Sequence, residues 1–474
     1  MTRPDRPNIL LVMSDEHDPA VAGCYGDPLV RTSTLDRLAA EGVTFDGCYC
    51  NSPLCVPSRL SFTALQYVSR CGAWNNSCRL PSPDYPTLPH ALRGAGYRPV
   101  LIGKQHYTQG WDYGFDVFGP QNRVDRVGKS TGRGGRRPAT SVTADGVTGW
   151  EKRAAAFVVG DQSEVLDHDR AVTEHARRWL DTQADASQPF FLFVGYIAPH
   201  FPITVPAAFA EPYLGRAPDP IGRPGWAPVD ESTLPLNYRH LRAGFANQNA
   251  DPAVERRGRD LYWGLTAWFD DQLGQLLDTL DRSPLRDNTI VIYTSDHGEN
   301  KADHGLWWKN CMFEPAARVP LIVRDPRRFA AGTRVARPCS LLDVGQTVLD
   351  LAGAPRMERT SGASLLPALL DPDGAHDGVA VSEYFGHNIA SGFAMIRSGP
   401  WKYVYHTAAD AEHGPERELY HLPDDPHELR NLAGDPAQAG RCSELHAALC
   451  REIGDDPDAV EERCRADNAR GYAD

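Results

Sequence analysis

Five short runs along the chain are mostly apolar: NILLVM at 8–13, YRPVLIG at 97–103, FFLFVGYI at 190–197, TIVIYTSD at 289–296 and VPLIVR at 319–324. Each is strand-length, and each predicts a buried strand. The segments between them repeat apolar positions with a helical period: TLDRLAAEG, TLPHALRGAG, HDRAVTEHARRWLD, LYWGLTAWFDDQLGQLLDTL and LLDVGQTVLDLAG. These predict helices with one apolar stripe, and a terminal Gly is a usual stop. Strand alternating with helix implies an α/β fold, with a large, mostly parallel sheet sandwiched by helices.

The texture changes near residue 376. VAVSEYFG, FAMIRSG and WKYVYH are short strands at close spacing, with a helix near 441–452. They predict a smaller antiparallel sheet plus helix, and so a catalytic unit over 1–375 and a small α+β unit over 376–474. Residues 121–150, rich in Gly, Arg and Thr, predict a long surface loop or insertion, and Pro-rich 211–235 a similarly irregular stretch.

Composition narrows the class. The chain has 474 residues, 41% hydrophobic and 23% charged, as expected of a globular protein with more than one core. A net charge of −13 argues against nucleic acid, and means that local cations must hold any anionic substrate. No run is long and apolar enough for a membrane span. The opening MTRPDRPNILLVMSDEHD does not read as a signal peptide, so the cytoplasm is the expected location. The 11 cysteines are scattered, without zinc-type spacing, and a disulfide framework is not expected in that compartment.

Four predicted strands run straight into unusual polar residues: Ser14-Asp15-Glu16-His17, Gly103-Lys104-Gln105-His106, Ala198-Pro199-His200 and Ser295-Asp296-His297-Gly298. Any one alone could be a cap, a turn or a solvated charge. Ligand sites of open α/β sheets lie beyond the carboxyl ends of strands, so together they predict one cluster. Asp15, Glu16, Asp296 and His297 offer oxygen and nitrogen donors suited to a hard divalent cation such as Ca2+, Mn2+ or Mg2+, whereas zinc would ask for more His or Cys. Lys104, His106, His200, Lys309 and Arg59 add cations and proton carriers. That much positive charge suits a tetrahedral oxyanion, sulfate or phosphate.

One loop remains, NSPLCVPSRLSF at 51–62. Its Leu54-Cys55-Val56-Pro57-Ser58-Arg59 resembles the L-C-x-P-S-R signature of the formylglycine-dependent sulfatases, in the alkaline-phosphatase-like superfamily. The resemblance extends over GYRPVLIGKQH, Pro199-His200, SDHGEN at 295–300, Lys309, RVPLIV at 318–323, SEY and WKYVYH. It implies that a separate formylglycine-generating enzyme oxidises Cys55 to Cα-formylglycine. It further implies that the hydrated aldehyde, as a metal ligand, attacks sulfur. His200 or Lys309 would protonate the leaving alcohol, and His106 would take the proton that lets sulfate go. RCGAWNN at 70–76 resembles a family motif that makes Asn76 a substrate contact. Leu65 departs from a usual Gly, implying different packing at the start of its helix. Glu16 and His297 stand where other ligand types are common.

The texture is closest to choline-sulfatase-like members, and Glu383 with Tyr384 could meet a quaternary ammonium. Residues 107–150 do not match that branch, so aryl, sugar and other alkyl sulfates stay open. Two rivals also stay open: a phosphonate monoester or phosphodiester hydrolase on the same scaffold, and a non-catalytic anion-binding member with Cys55 unmodified. The expected partners are a small sulfate ester and the maturation enzyme, with a homo-oligomer left open.

Overall fold

The computed structural model describes residues 6–124, 139–140, 148–184, 188–372, 374 and 378–470. The large sheet runs in the order Thr333–Val335, Val43–Tyr49, Arg318–Arg324, Thr289–Ser295, Asn8–Asp15, Phe190–Pro199, Arg98–Thr108, Asp116–Val124. Within it only Arg318–Arg324 runs against its neighbours; the other pairings along this order are parallel. The carboxyl ends of Asn8–Asp15, Arg98–Thr108, Phe190–Pro199 and Thr289–Ser295 therefore share one edge.

The apolar runs are continuous because both faces are covered. In Asn8–Asp15, Leu10 and Val12 join one core, while Ile9, Leu11 and Met13 join the other. Helices Ser33–Glu41, Glu164–Thr182 and Pro252–Arg282 supply apolar stripes to the first core, and Cys55–Ala64, Leu88–Gly94 and Leu341–Ala352 to the second. All five helical segments expected from periodicity form helices.

The three longest of the strands that escaped the sequence reading did so for local reasons. Val43–Tyr49 carries an Asp46-Gly47 interruption, and its register shifts between Phe45 and Cys48. Asp116–Val124 contains Gly-Pro, which an edge strand tolerates. Glu416–His421 is half charged.

The predicted loop over 121–150 needs correction at both ends. Residues up to 124 belong to the edge strand, and Thr148–Ala154 is helical. Residues 125–138 and 141–147 lie outside the described residues.

The smaller sheet pairs Val379–Tyr384, Phe393–Ser398, Trp401–His406 and Glu416–His421 antiparallel in sequence order, followed by helices Ala439–Ile453 and Pro457–Arg470. The step into it, at 375–377, lies outside the described residues. Buried contacts tie this sheet to the rest: Glu383 N donates to Asn51 O at 3.0 Å, and Lys402 Nζ pairs with Glu314 at 2.9 Å. Among the described residues no helix is long and apolar enough to cross a membrane, and no disulfide is formed.

Candidate active site

Cys55 opens the buried helix Cys55–Ala64, directly after an extended Leu54. Asn76 Oδ1 accepts the Val56 N–H at 3.1 Å, capping a helix start that Leu54 cannot cap. The Ser-Arg tail of the signature lies one turn further on. Ser58 Oγ donates to Asp296 O at 2.7 Å. Arg59, wholly buried, pairs through Nε with Asp296 Oδ2 at 2.7 Å and through Nη2 with Asp15 Oδ2 at 3.0 Å. Its Nη1 donates to Lys104 O at 2.9 Å. One guanidinium thus joins three strand ends. Arg59 lies behind the two carboxylates and is not among the residues that line the cavity.

With Oδ2 committed in both carboxylates, the two Oδ1 atoms turn toward His297. Its Nε2 lies 3.7 Å from Asp15 Oδ1, 3.6 Å from Asp296 Oδ1 and 3.2 Å from Cys55 Sγ. Nδ1 of His297 lies 3.0 Å from Gly298 O; donation there leaves Nε2 with its lone pair facing the carboxylates. The carboxylate separations are too long for hydrogen bonds, yet the donor atoms of Asp15, Cys55, Asp296 and His297 all lie within 4.8 Å of one another. Two carboxylate oxygens and an imidazole nitrogen facing one point, with none hydrogen-bonded to another, fit a hard divalent cation.

Glu16 stands apart from that group. Its carboxylate pairs with Lys309 Nζ at 2.9 Å and lies 3.4 Å from His200 Nε2. It shares a second potential donor cluster with Asp15 and His200. Its backbone has a positive φ of 68°, a conformation that non-glycine residues adopt at a cost. Burial raises its pKa to about 8 despite Lys309.

Lys104 Nζ pairs with Asp15 Oδ2 at 2.6 Å. Burial works to raise Asp15, but Lys104, His200, Arg59 and His297 together hold its carboxyl well below the usual range. Gly103 lets the Lys104 strand approach its neighbour. It sits opposite Gly195 at φ +91°, and a Cβ there would come within 2.1 Å of Gly195 O. Burial and the Lys104 charge push His106 well below its ordinary value, and its Nδ1 is buried without a hydrogen-bond partner among the described residues. Burial, then Lys309, does the same to His200. Asp169 Oδ2 accepts the N–H groups of Ile197 and Ala198 and so anchors the strand end that carries His200.

Burial, reinforced by the Asp15 carboxylate, pushes the Cys55 thiol up to about 12. As a thiol it stays protonated near neutral pH and is a poor nucleophile. Above it opens a cavity of about 840 Å³, lined by Cys55, Asn76, Lys104, His106, His200 and Lys309 among others.

The Sulfatase family model matches residues 7–354, and the model for the C-terminal part of N-sulphoglucosamine sulphohydrolase matches residues 302–454. The chain belongs to the sulfatase family. It is 31% identical over 473 residues to arylsulfatase K of Danio rerio, covering 96% of this chain and 85% of that one. It is likewise 31% identical over 457 residues to the choline-sulfatase of Rhizobium meliloti (strain 1021), covering 91% and 83%. The phosphonate monoester hydrolase of Agrobacterium radiobacter shares the fold, with a TM-score of 0.73 at 23% identity and coverage of 95% and 96%. As a sulfatase the protein is an enzyme of the sulfuric ester hydrolase class, on the alkaline-phosphatase-like scaffold expected from its sequence.

Two sequence expectations fail geometrically. Glu383 does not line the cavity: it is fully buried and accepts the Ser69 N–H at 3.0 Å. Tyr384 is also buried, its hydroxyl bonded to Asn310 Nδ2 at 2.8 Å and His387 O at 2.9 Å. Neither meets a quaternary ammonium there. Leu65 lies at the carboxyl end of the Cys55 helix, not its start, with φ +53° in a position suited to Gly. Its side chain packs against Gly345 instead, where a Cβ would come within 2.1 Å.

The sequence reading also missed cavity residues Arg153, Phe201, Phe245, Trp308, Asn310 and His387. Phe201, Trp308 and Asn310 carried a local signal, as neighbours of His200 and Lys309.

Proposed function

We propose that this sulfatase hydrolyses a sulfate monoester to an alcohol and inorganic sulfate, using Cα-formylglycine made from Cys55 and a divalent cation held by Asp15, Asp296 and His297. The observation that supports this most is the placement of Cys55. It sits at the floor of the cavity, 3.2 Å from His297 Nε2 and 3.7 Å from Asp15 Oδ1, as a thiol whose ionisation burial disfavours. Conversion to the aldehyde hydrate would supply an attacking hydroxyl and a second hydroxyl through which sulfate can leave, and the cation would neutralise charge on the reacting oxygens. Glu16, one step from this group, is assigned as a further ligand by sequence and orders Lys309 by geometry.

The chain's own residues do the rest. Lys104 and Lys309 present their ammonium groups to the cavity and hold the anionic sulfate. Arg59 keeps two carboxylates aimed at one point by occupying their far oxygens. His106, neutral and with an unpartnered Nδ1, accepts a proton from the side chain at residue 55 as sulfate is released. Either His200 or Lys309 protonates the leaving oxygen. His200 is held by Phe201 O on one side and faces Glu16 on the other. Burial opposes the charge of Lys309, but its acidic neighbours Glu16 and Asp15 help it to keep its proton. Asn76 acts by capping the Cys55 helix while lining the cavity.

The mass of the peptide carrying residue 55, read beside turnover, tests the reading. Activity should rise in proportion to the aldehyde fraction across preparations made with and without the modifying enzyme. Full activity from the thiol form would sink it. A phosphonate monoester presents the same single negative charge, and the shared fold with a phosphonate monoester hydrolase makes that the second reading. A higher kcat/KM for phosphonate than for sulfate esters of one alcohol would decide for it.

A further inference from the structure

Away from the active site, a further group of metal-ligating side chains gathers near the carboxyl terminus. His446 and Cys450 lie one turn apart on helix Ala439–Ile453, and Asp456 stands in the turn that leads into helix Pro457–Arg470. One donor atom from each lies within 4.8 Å of the other two. His446 and Cys450 are half-buried and Asp456 is exposed, so an ion can reach them from solvent. None of the three lines the active-site cavity.

Residues four apart on a helix share a face, so His446 and Cys450 form a natural chelating pair. Their donors, His446 Nε2 and Cys450 Sγ, lie 3.8 Å apart. A zinc ion bonded to nitrogen at about 2.0 Å and to sulfur at about 2.3 Å, with a tetrahedral angle between them, sets the two atoms about 3.5 Å apart. The pair therefore needs to close by only a few tenths of an ångström. Nδ1 of His446 lies 3.4 Å from the Tyr403 hydroxyl, which can accept the Nδ1 proton and leave the Nε2 lone pair facing Cys450. Asp456 Oδ1 accepts the Asp458 N–H at 2.9 Å, which fixes the carboxylate at the start of the second helix. Burial holds His446 below its ordinary value, against the pull of Asp456, and so favours the neutral form that ligates. Of the charged groups acting on the pair, Asp455, Asp456 and Asp458 are acids, and Arg417 is the cation that opposes them.

We propose that His446, Cys450 and Asp456 bind Zn2+, with water as the fourth ligand, at a surface site separate from the cation site at Cys55. Imidazole and thiolate select a borderline ion such as zinc, whereas carboxylates such as Asp15 and Asp296 favour hard ions. On binding, the Cys450 thiol gives its proton to solvent and its sulfur bonds the metal; nothing is oxidised. The ion staples the turn at Asp456 to the helix before it. That turn sets the start of Pro457–Arg470, which reaches the active-site wall. There Asp467 Oδ2 accepts the Trp74 Nε1–H at 3.0 Å, and Asn468, which lines the cavity, accepts from Asn75 Nδ2 at 3.3 Å. The site stands whether or not the sulfate-ester reading does.

The test uses Co2+, which takes zinc's place and reports a thiolate ligand by a near-ultraviolet charge-transfer band. The full chain, free of any histidine tag, carries Cys55→Ala so that the active-site thiol is absent, and excess Mg2+ and Ca2+ fill the hard-cation site. One equivalent of Co2+ should give the thiolate band together with the strong visible absorption of a tetrahedral site, and Zn2+ should displace it. Adding Cys450→Ala should abolish the band. His446→Ala and Asp456→Asn should each weaken Co2+ binding by at least the roughly 10- to 100-fold that loss of an outer partner costs. Melting curves without metal check that each variant folds, and Cys450→Ser gives the same reading should the Ala variant melt early. No thiolate band in the Cys55→Ala protein, a band that survives loss of Cys450, or binding indifferent to His446 or Asp456 would overturn the proposal.

Discussion

The floor and the mouth of the cavity are built on opposite principles. At the floor, the polar groups come from the ends of adjacent strands, and buried partners hold them: Arg59 on Asp15 and Asp296, Lys104 on Asp15, Lys309 on Glu16, Ser58 on the Asp296 carbonyl. At the mouth, Phe201, Phe245 and Trp308 come from loops and a helix end, and the Arg153 guanidinium of Thr148–Ala154 lies against their rings. Electrostatic preorganisation requires rigid donors, because charges that must reorganise during reaction lose much of their effect. Fitting an alcohol asks only for shape and one or two charges. The floor should therefore govern whether reaction occurs, and the mouth which ester reacts.

The largest effect expected is at Cys55. Cys55→Ala should abolish turnover of every ester while leaving the melting temperature nearly unchanged, since one sulfur is removed from the start of a helix. In Cys55→Ser the hydroxyl should become sulfated once and stall. Intact mass should show the adduct, and continued turnover by the Ser variant would break the distinction drawn here.

Arg59→Met comes next. It leaves two buried carboxylates without their shared cation, for which about 3–5 kcal/mol of stability is at stake. Denaturant unfolding should show that loss, together with weakened activity toward all esters alike. A loss confined to one ester would move Arg59 from the floor to the mouth.

His200 stands at the boundary, touching Glu16 on one side and stacked on Phe201 on the other. His200→Ala should cost about 10²- to 10⁴-fold with alkyl sulfates, and less with phenyl sulfates, whose alcohols leave without a proton. Equal losses for both leaving groups would assign the proton to Lys309.

The smallest effect concerns the far end of the Cys55 helix. Leu65 is buried at φ +53°, so its side chain stabilises by packing while its backbone is strained. Both Leu65→Ala and Leu65→Gly should destabilise, but Gly should be better than Ala by about 1 kcal/mol, the cost of the left-handed conformation. Thermal unfolding of the pair reads this difference. Ala equal to or better than Gly would remove the strain.

Much of the floor was legible in the chain itself. Continuous apolar runs mark strands covered on both faces, and parallel strands bring their carboxyl ends to one edge. Asp15, Lys104, His106, His200 and Asp296 therefore fall into one group on sequence pattern alone. The Cys55 loop, with no such periodicity, was placed by its signature. Period and strand direction are local properties, and they determined the sheet, the shared edge and the kind of chemistry there. Tertiary structure decided what depends on contacts between distant segments. It turned Arg59 inward as a clamp, committed Glu383 to the Ser69 N–H, separated Glu16 from the Cys55 cluster and seated Arg153 among three rings. No local pattern encodes these outcomes, because a charged side chain reads the same in sequence whether it faces a substrate or another residue brought beside it by the fold.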